Sequence, residues 1–382
     1  MRFTMLKKEL KRLYFRFWYT RLRIEHFLAE KRYNQKKSKD VQKSLELSDK
    51  SMKLPVTIVD VKDDKKGIVT IISDDGFFDS GVILNELANK YDICATDAGA
   101  VSIVKPHLKE WQKIIAEGHI EMVNHSYKHV AMQEGREISK DRDRLYYEIV
   151  RAKQWITHHF KGLRQFVFVC PGNMMCELGY EVLSENDFLA VRRGNRGYNS
   201  LSPENGTNEG EWFNLMVQGI GDEGVDTSVR NSWVDYAIQN RQWLIEMWHN
   251  VAAQDDGFYQ TIMKEDAEKH IDYIAKSKKE NQVWVATFSE AVKYLREKQS
   301  MIVEAYLTSE SIHILANLKS KKLSKEIFDY PVTIKIALPD YVADSSFYMG
   351  EEELTLIDKK MLMLNVVPNG EPLEIAIRSK RS

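Results

Sequence analysis

The chain has 382 residues, 43% of them hydrophobic and 29% charged, with a formal net charge of −1. Such a chain is globular and long enough for more than one domain, and its near-neutrality excludes a global field for nucleic acid or another charged polymer. Three cysteines, Cys94, Cys170 and Cys176, are too few and too irregularly spaced for a disulfide framework or a Cys-rich zinc site.

Residues 1–50 stand apart. Thirteen Lys and Arg face four Asp and Glu between Met1 and Asp40, and Leu6, Leu10, Leu13, Phe17, Ile24 and Phe27 recur at helical spacing. This predicts a basic amphipathic helix followed by a polar linker. Such a helix either makes a peripheral contact with an anionic membrane surface or packs on the main domain with its basic face in water. No apolar run approaches the ~18 residues of a spanning helix. The basic start is not followed by the apolar core and cleavage site of a secretory signal. The expectation is therefore a cytoplasmic protein, peripheral to the membrane at most.

From residue 51 to 299, short apolar runs alternate with helical stretches. Strands are predicted at Ile68–Ile72, Ile120–Val123, Phe166–Val169, Phe188–Val191, Leu244–Trp248 and Val283–Thr287. Helices are predicted at Val82–Lys90, Lys109–Glu117, Arg142–His159 and Lys264–Lys278. This alternation builds an α/β domain on a largely parallel sheet, open or closed into a barrel, and the length suits a barrel. Residues 300–382 change texture. "PVTIKIALP" and "ELTLID" alternate at period two, and Pro368-Asn369-Gly370 separates two further alternating runs as a hairpin would. This end predicts a small antiparallel, β-sandwich-like accessory domain.

Three short sequences fall at the carboxyl ends of predicted strands, the edge where α/β sheets and barrels build their sites. "SDDG" places Asp74 and Asp75 together, "HSYKH" spaces His125 and His129 four apart, and "WLIEMWHNV" ends a strand on His249. On a helical turn, His125 and His129 would share one face and suit a divalent metal. Two His and one carboxylate leave positions open for water and substrate. Each feature alone has a bland reading: a strand-ending turn for the Asp pair, satisfied histidines for the rest. Their joint occurrence at strand ends, in order, favours a site. Trp212, Trp233, Trp243 and Trp248 are more often core than sugar-stacking faces, although Trp248 adjoins His249.

The ordered set resembles the polysaccharide deacetylase family, the NodB-homology carbohydrate esterases. The family's first motif, T/S-F-D-D-G, is matched by "ISDDG". Its second, H-[ST]-x-x-H, is matched by "HSYKH", and its late strand ending in His by "LIEMWHNV". The resemblance covers roughly Leu54 to Arg296. It implies a distorted (β/α)7 barrel with the site at its carboxyl-end mouth. Asp75, His125 and His129 would bind a divalent metal, zinc being the default for the family's His2Asp set. Asp74 would be the general base and His249 the general acid, and the Gly172 N–H would be an oxyanion donor. The substrate would be an acetylated polysaccharide or oligosaccharide. The third family motif, R-x-P-x-G, is replaced by "FVFVCPGNMM", which keeps Pro171 and Gly172 but has no Arg before them. Arg192 or Arg193, at the end of another strand, is the candidate substitute. The alternative class is a carbohydrate-binding or assembly protein that keeps the barrel without turnover. A metal phosphohydrolase would want more carboxylates or a phosphate-cradling Gly loop.

Overall fold

The computed structural model describes residues 51–203, 211–254, 257–319, 328–342, 344–358 and 360–379, and Lys39. The basic helix and membrane contact expected of residues 1–50 lie outside the described residues. The chain divides into two units, Val59–Gln299 and a second that joins the segment before residue 59 to the chain from Ser300 onward.

The larger unit is a parallel barrel. Its strands are β1 (Gly67–Asp75), β2 (Ala95–Gly99), β3 (Ile120–Asn124), β4 (Val167–Val169), β5 (Ala190–Arg196), β6 (Leu215–Gly219) and β7 (Trp243–Trp248). Each pairs with the next, and β7 pairs back onto β1 from Ile68↔Trp243 to Ser73↔Trp248, closing a ring of seven. An eighth strand, β8 (Val283–Val285), pairs with the start of β1. The ring is uneven. The described register between β3 and β4 has the single pair Asn124↔Phe168, and that between β5 and β6 shifts between Arg192 and Arg196. This is the distorted (β/α)7 arrangement.

β1 is buried on both faces for eight of its nine residues, which is why its sequence runs apolar rather than alternating. Val69 and Ile71 join the core between barrel and helices, with Leu84 and Leu87 of helix α1 (Phe78–Lys90) and Trp111 of α2 (Leu108–Glu117). Thr70 faces inward, where its Oγ1 accepts a 3.0 Å bond from Trp243 Nε1. Strands β2 and β6 escape sequence recognition because "ATDAG" and "LMVQG" carry few β-branched residues. Helix α3, over 142–159, contains a π-helical turn at Tyr147–Arg151. The unit continues through α4 (Glu177–Glu185), α5 (Thr227–Asn240), α6 (Lys264–Lys279) and α7 (Phe288–Ser300).

The second unit consists of a six-stranded and a four-stranded sheet, with antiparallel pairing throughout. Met52–Leu54 pairs with Met301–Leu307 in the first, and Val56–Ile58 with Val332–Ala337 in the second. Pro55 lies between these two strands and cannot donate to a ladder. The barrel unit therefore starts at Val59 rather than residue 51, because the preceding strands are satisfied by pairing elsewhere. Three-residue strands are too short to show a sequence period. The expected hairpin at Pro368-Asn369-Gly370 is not one. Its flanking strands, Met361–Val366 and Leu373–Ser379, belong to different sheets, and the Gly370 N–H bonds Ala316 O at 3.0 Å.

Candidate metal centre and acid–base pair

β1 delivers both aspartates to one end of the barrel. The backbone is left-handed at Asp75 (φ 78°) and Gly76 (φ 87°), so the strand ends there and its in–out alternation stops. Asp74 continues the inward series of Thr70 and Ile72, while Asp75 turns to the histidines of the next loop but one.

That loop follows β3. His125 is buried and its Nδ1 lies 2.9 Å from Val169 O, an acceptor that assigns the proton to Nδ1 and leaves the Nε2 lone pair free. His125 Nε2 is 3.4 Å from Asp75 Oδ1, and His129 Nε2 is 2.8 Å from the same oxygen. Ligating atoms of Asp75, His125 and His129 all lie within 4.8 Å of one another. Burial works against ionisation of Asp75, but the two imidazoles beside it outweigh it and hold the carboxyl well below its usual range. The bond to Asp75 raises His129 in turn. Two imidazole nitrogens and one carboxylate, with one His already fixed by a carbonyl, fit a divalent cation.

The segment 125–129 is not the helical turn expected from its spacing. Ser126 (φ 70°) and His129 (φ 57°) are both left-handed, and the imidazoles meet because the loop doubles back. Side chains impose this path. Asn124 Oδ1 accepts from Ser126 N at 2.9 Å, and Ser126 Oγ accepts from His129 N at 3.0 Å. The π-helical turn of α3 braces the loop from outside. The buried Glu148 accepts from Lys128 N at 2.8 Å, and Ile149 O accepts from Asn124 Nδ2 at 2.9 Å.

Of the two arginines named as candidate substitutes, Arg192 is the one that bonds Asp74. It comes from β5, is fully buried, and donates through Nη2 to both oxygens of Asp74, at 2.6 Å for Oδ1. Its Nη1 donates to Asn173 Oδ1 at 2.9 Å. Asn173 closes the turn Pro171–Asn173 that also contains Gly172 (φ 57°). Gly194 makes room for this: a Cβ there would fall 2.2 Å from Asn173 Cγ. On the other side of Asp74, His249 Nε2 lies 4.0 Å from Oδ2. His249 is placed at the end of β7, and its carbonyl accepts from Ser80 Oγ at 3.4 Å, which in turn accepts from Val251 N at 3.0 Å.

Thus Asp74, Asp75, His125, His129 and His249 converge at one mouth of the barrel unit. Trp248 does not join them. Alternation along β7 turns it outward with Leu244 and Glu246, where it is fully buried against His270 of α6 and bonds Glu246 Oε2 at 3.1 Å. Trp212 and Trp243 are likewise buried. Asp97 is a residue that sequence patterning did not single out. It lies on β2 opposite Ser73, is buried, and has no hydrogen-bond partner on either oxygen among the described residues. Burial, then the charges of Asp74 and Asp75, push its carboxyl well above the usual range. Because its strand escapes sequence recognition, no local signal marks it.

No family model matches the chain. A gellan lyase from a Bacillus species is 22% identical over 333 residues, and the match spans 80% of this chain but 13% of that protein's length. Among solved structures, a Mycobacterium smegmatis protein assigned as a polysaccharide deacetylase is 14% identical, with a TM-score of 0.48 over 65% of this chain and 96% of that one. The Xyl-CE4 domain of a multidomain xylanase from the hindgut metagenome of Trinervitermes trinervoides is 15% identical, with a TM-score of 0.41 over 59% and 89%. A family 4 acetyl xylan esterase from Clostridium thermocellum, in complex with cobalt, is 15% identical, with a TM-score of 0.40 over 59% and 89%. At these identities and scores, function has to be read from the side chains.

Proposed function

We propose that the barrel unit is a metal-dependent deacetylase of the polysaccharide deacetylase kind, hydrolysing acetyl groups from an acetylated polysaccharide or oligosaccharide. One arrangement carries this reading: Asp75, His125 and His129 converge within 4.8 Å, and Asp74 beside them is held by Arg192 and faces His249 at 4.0 Å. The ordered sequence motifs that supply these residues support it independently.

Asp75 Oδ1 and the Nε2 atoms of His125 and His129 would hold the cation, for which this His2Asp donor set suits zinc. A divalent cation bound there supplies a Lewis acid that polarises an acetyl carbonyl and acidifies water. Asp74, oriented by Arg192, takes the proton of the attacking water as the C–O bond to the acetyl carbon forms. The Gly172 N–H is the donor assigned to the oxyanion that develops. His249, across from Asp74, gives a proton to the sugar oxygen or nitrogen as its bond to the acetyl carbon breaks. Water and acetylated sugar become acetate and the free hydroxyl or amine.

The test is acetate release from N-acetylated chitooligosaccharides, peptidoglycan fragments and acetylated xylan, before and after chelation and with zinc restored. Release that stops on chelation and returns with zinc is expected. Zinc-loaded protein that releases acetate from none of the three would contradict the reading.

A further inference from the structure

We propose that Phe77, Phe258 and Tyr259 form a stacking subsite for a pyranose ring on the His249 side of the centre. The inference rests on the deacetylase reading and assigns the part of the site that would select a sugar. Two separate loops bring these rings together. Phe77 directly follows the Asp74-Asp75-Gly76 turn and precedes α1. Phe258 and Tyr259 lie after β7, shortly before the strand Thr261–Met263. Phe258 meets Phe77 edge to face at 4.9 Å between centroids, and Tyr259 meets the His249 imidazole at 5.3 Å and 78°.

Their exposure is the second observation. Tyr259 is 66% and Phe258 48% exposed, whereas Trp212, Trp243 and Trp248 are withdrawn into the core. Large aromatic rings left in water cost hydration free energy that a ligand surface can recover. The chemistry then identifies the occupant. The acid must protonate the leaving group, so whatever departs with the acetyl removed sits beside His249, away from Asp75. In a glycan deacetylase the departing fragment is the sugar. The apolar C–H face of a pyranose matches an aromatic ring in size, and its hydroxyl edge can stay in water. The bulk and orientation of Tyr259 would therefore select ring-shaped leaving groups over acyclic ones.

The experiment is isothermal titration of zinc-loaded protein with tetra-N-acetylchitotetraose and with acetylated xylotetraose, in parallel with KM and kcat for acetate release. Tyr259→Ala and Phe258→Ala should each weaken binding of the preferred tetraose, and raise KM, by about tenfold. Bound zinc and melting temperature should change little, and Tyr259→Phe should restore binding. Wild-type affinity in both Ala variants would overturn the subsite, as would a wild-type protein that binds neither tetraose. The two readings fail separately. Tight, Tyr259-dependent binding without acetate release would sink the deacetylase and leave the subsite. Acetate release with an unchanged KM in Tyr259→Ala would do the reverse.

Discussion

Arg192 and Asp74 lie 118 positions apart in sequence and form one buried ion pair at the base of the centre. The guanidinium comes from β5, across the barrel interior from β1, and both partners are almost wholly withdrawn from water. Removing one partner leaves the other charged and unpaired in a low-dielectric interior. Arg192→Ala should destabilise the protein by about 3–5 kcal/mol and abolish acetate release. Arg192→Lys should keep more stability than activity, because an ammonium cannot hold Asp74 and Asn173 as a planar fork does. Denaturant unfolding and acetate release, measured together, check both outcomes. Equal stability of the wild type and Arg192→Ala would contradict the pair's role.

A single methyl group tests the same assembly from behind. Gly194→Ala places a Cβ against the Asn173 side chain, and Asn173 is the second anchor of Arg192. Overpacking of this kind costs about 1–3 kcal/mol, and acetate release should fall further than bound zinc. A variant with wild-type melting temperature and turnover would show that Asn173 can move without consequence.

Glu148 acts on the metal loop through a backbone N–H rather than through the cation. Its carboxylate accepts from Lys128 N, one residue before His129 in a loop with two left-handed residues. Glu148→Ala should reduce zinc affinity by about 10–100-fold, the range for a supporting shell. Glu148→Gln keeps an acceptor oxygen and should lose much less. Competition with a chelator of known affinity reads both directly, independent of turnover.

Glu121, on β3 away from the centre, gives a pH signature. Burial, partly offset by the bonds from Ser289, pushes its carboxyl up to about 7. Between its ordinary value and about pH 7, the folded protein binds a proton that the unfolded chain has released. Stability from this group is therefore fully present below the ordinary carboxylate range and lost as pH rises through 7. Glu121 is only half-buried, so the expected loss is about 1–2 kcal/mol. Glu121→Gln should flatten that part of the stability–pH curve. An unchanged curve would contradict the shifted titration.

Much of the centre was legible in the sequence because its residues sit where strands end. The apolar run of β1, the Asp pair that stops it, "HSYKH" after β3 and His249 after β7 all mark that edge. What could not be read depends on crossings between distant segments. Arg192 reaches Asp74 only because β5 and β1 face each other across the barrel, so no local pattern separates it from Arg193. The spacing of His125 and His129 suggested a helix, whereas bonds from Asn124, Ser126 and Glu148 hold a doubled-back loop. Trp248 adjoins His249 in sequence, yet strand alternation turns it to the helix layer, and the aromatic beside His249 is Tyr259. The strands at residues 52–58 were invisible because their partners lie beyond residue 300.

The most direct measurement is acetate release by Asp74→Asn at known metal content. The substitution keeps the side chain's size and removes its ability to take a proton, while Asp75, His125 and His129 are untouched. The protein should hold one equivalent of zinc and lose turnover by about 10²-fold or more. Full zinc together with wild-type acetate release would show that Asp74 is not the base, and the arrangement around it would need another explanation.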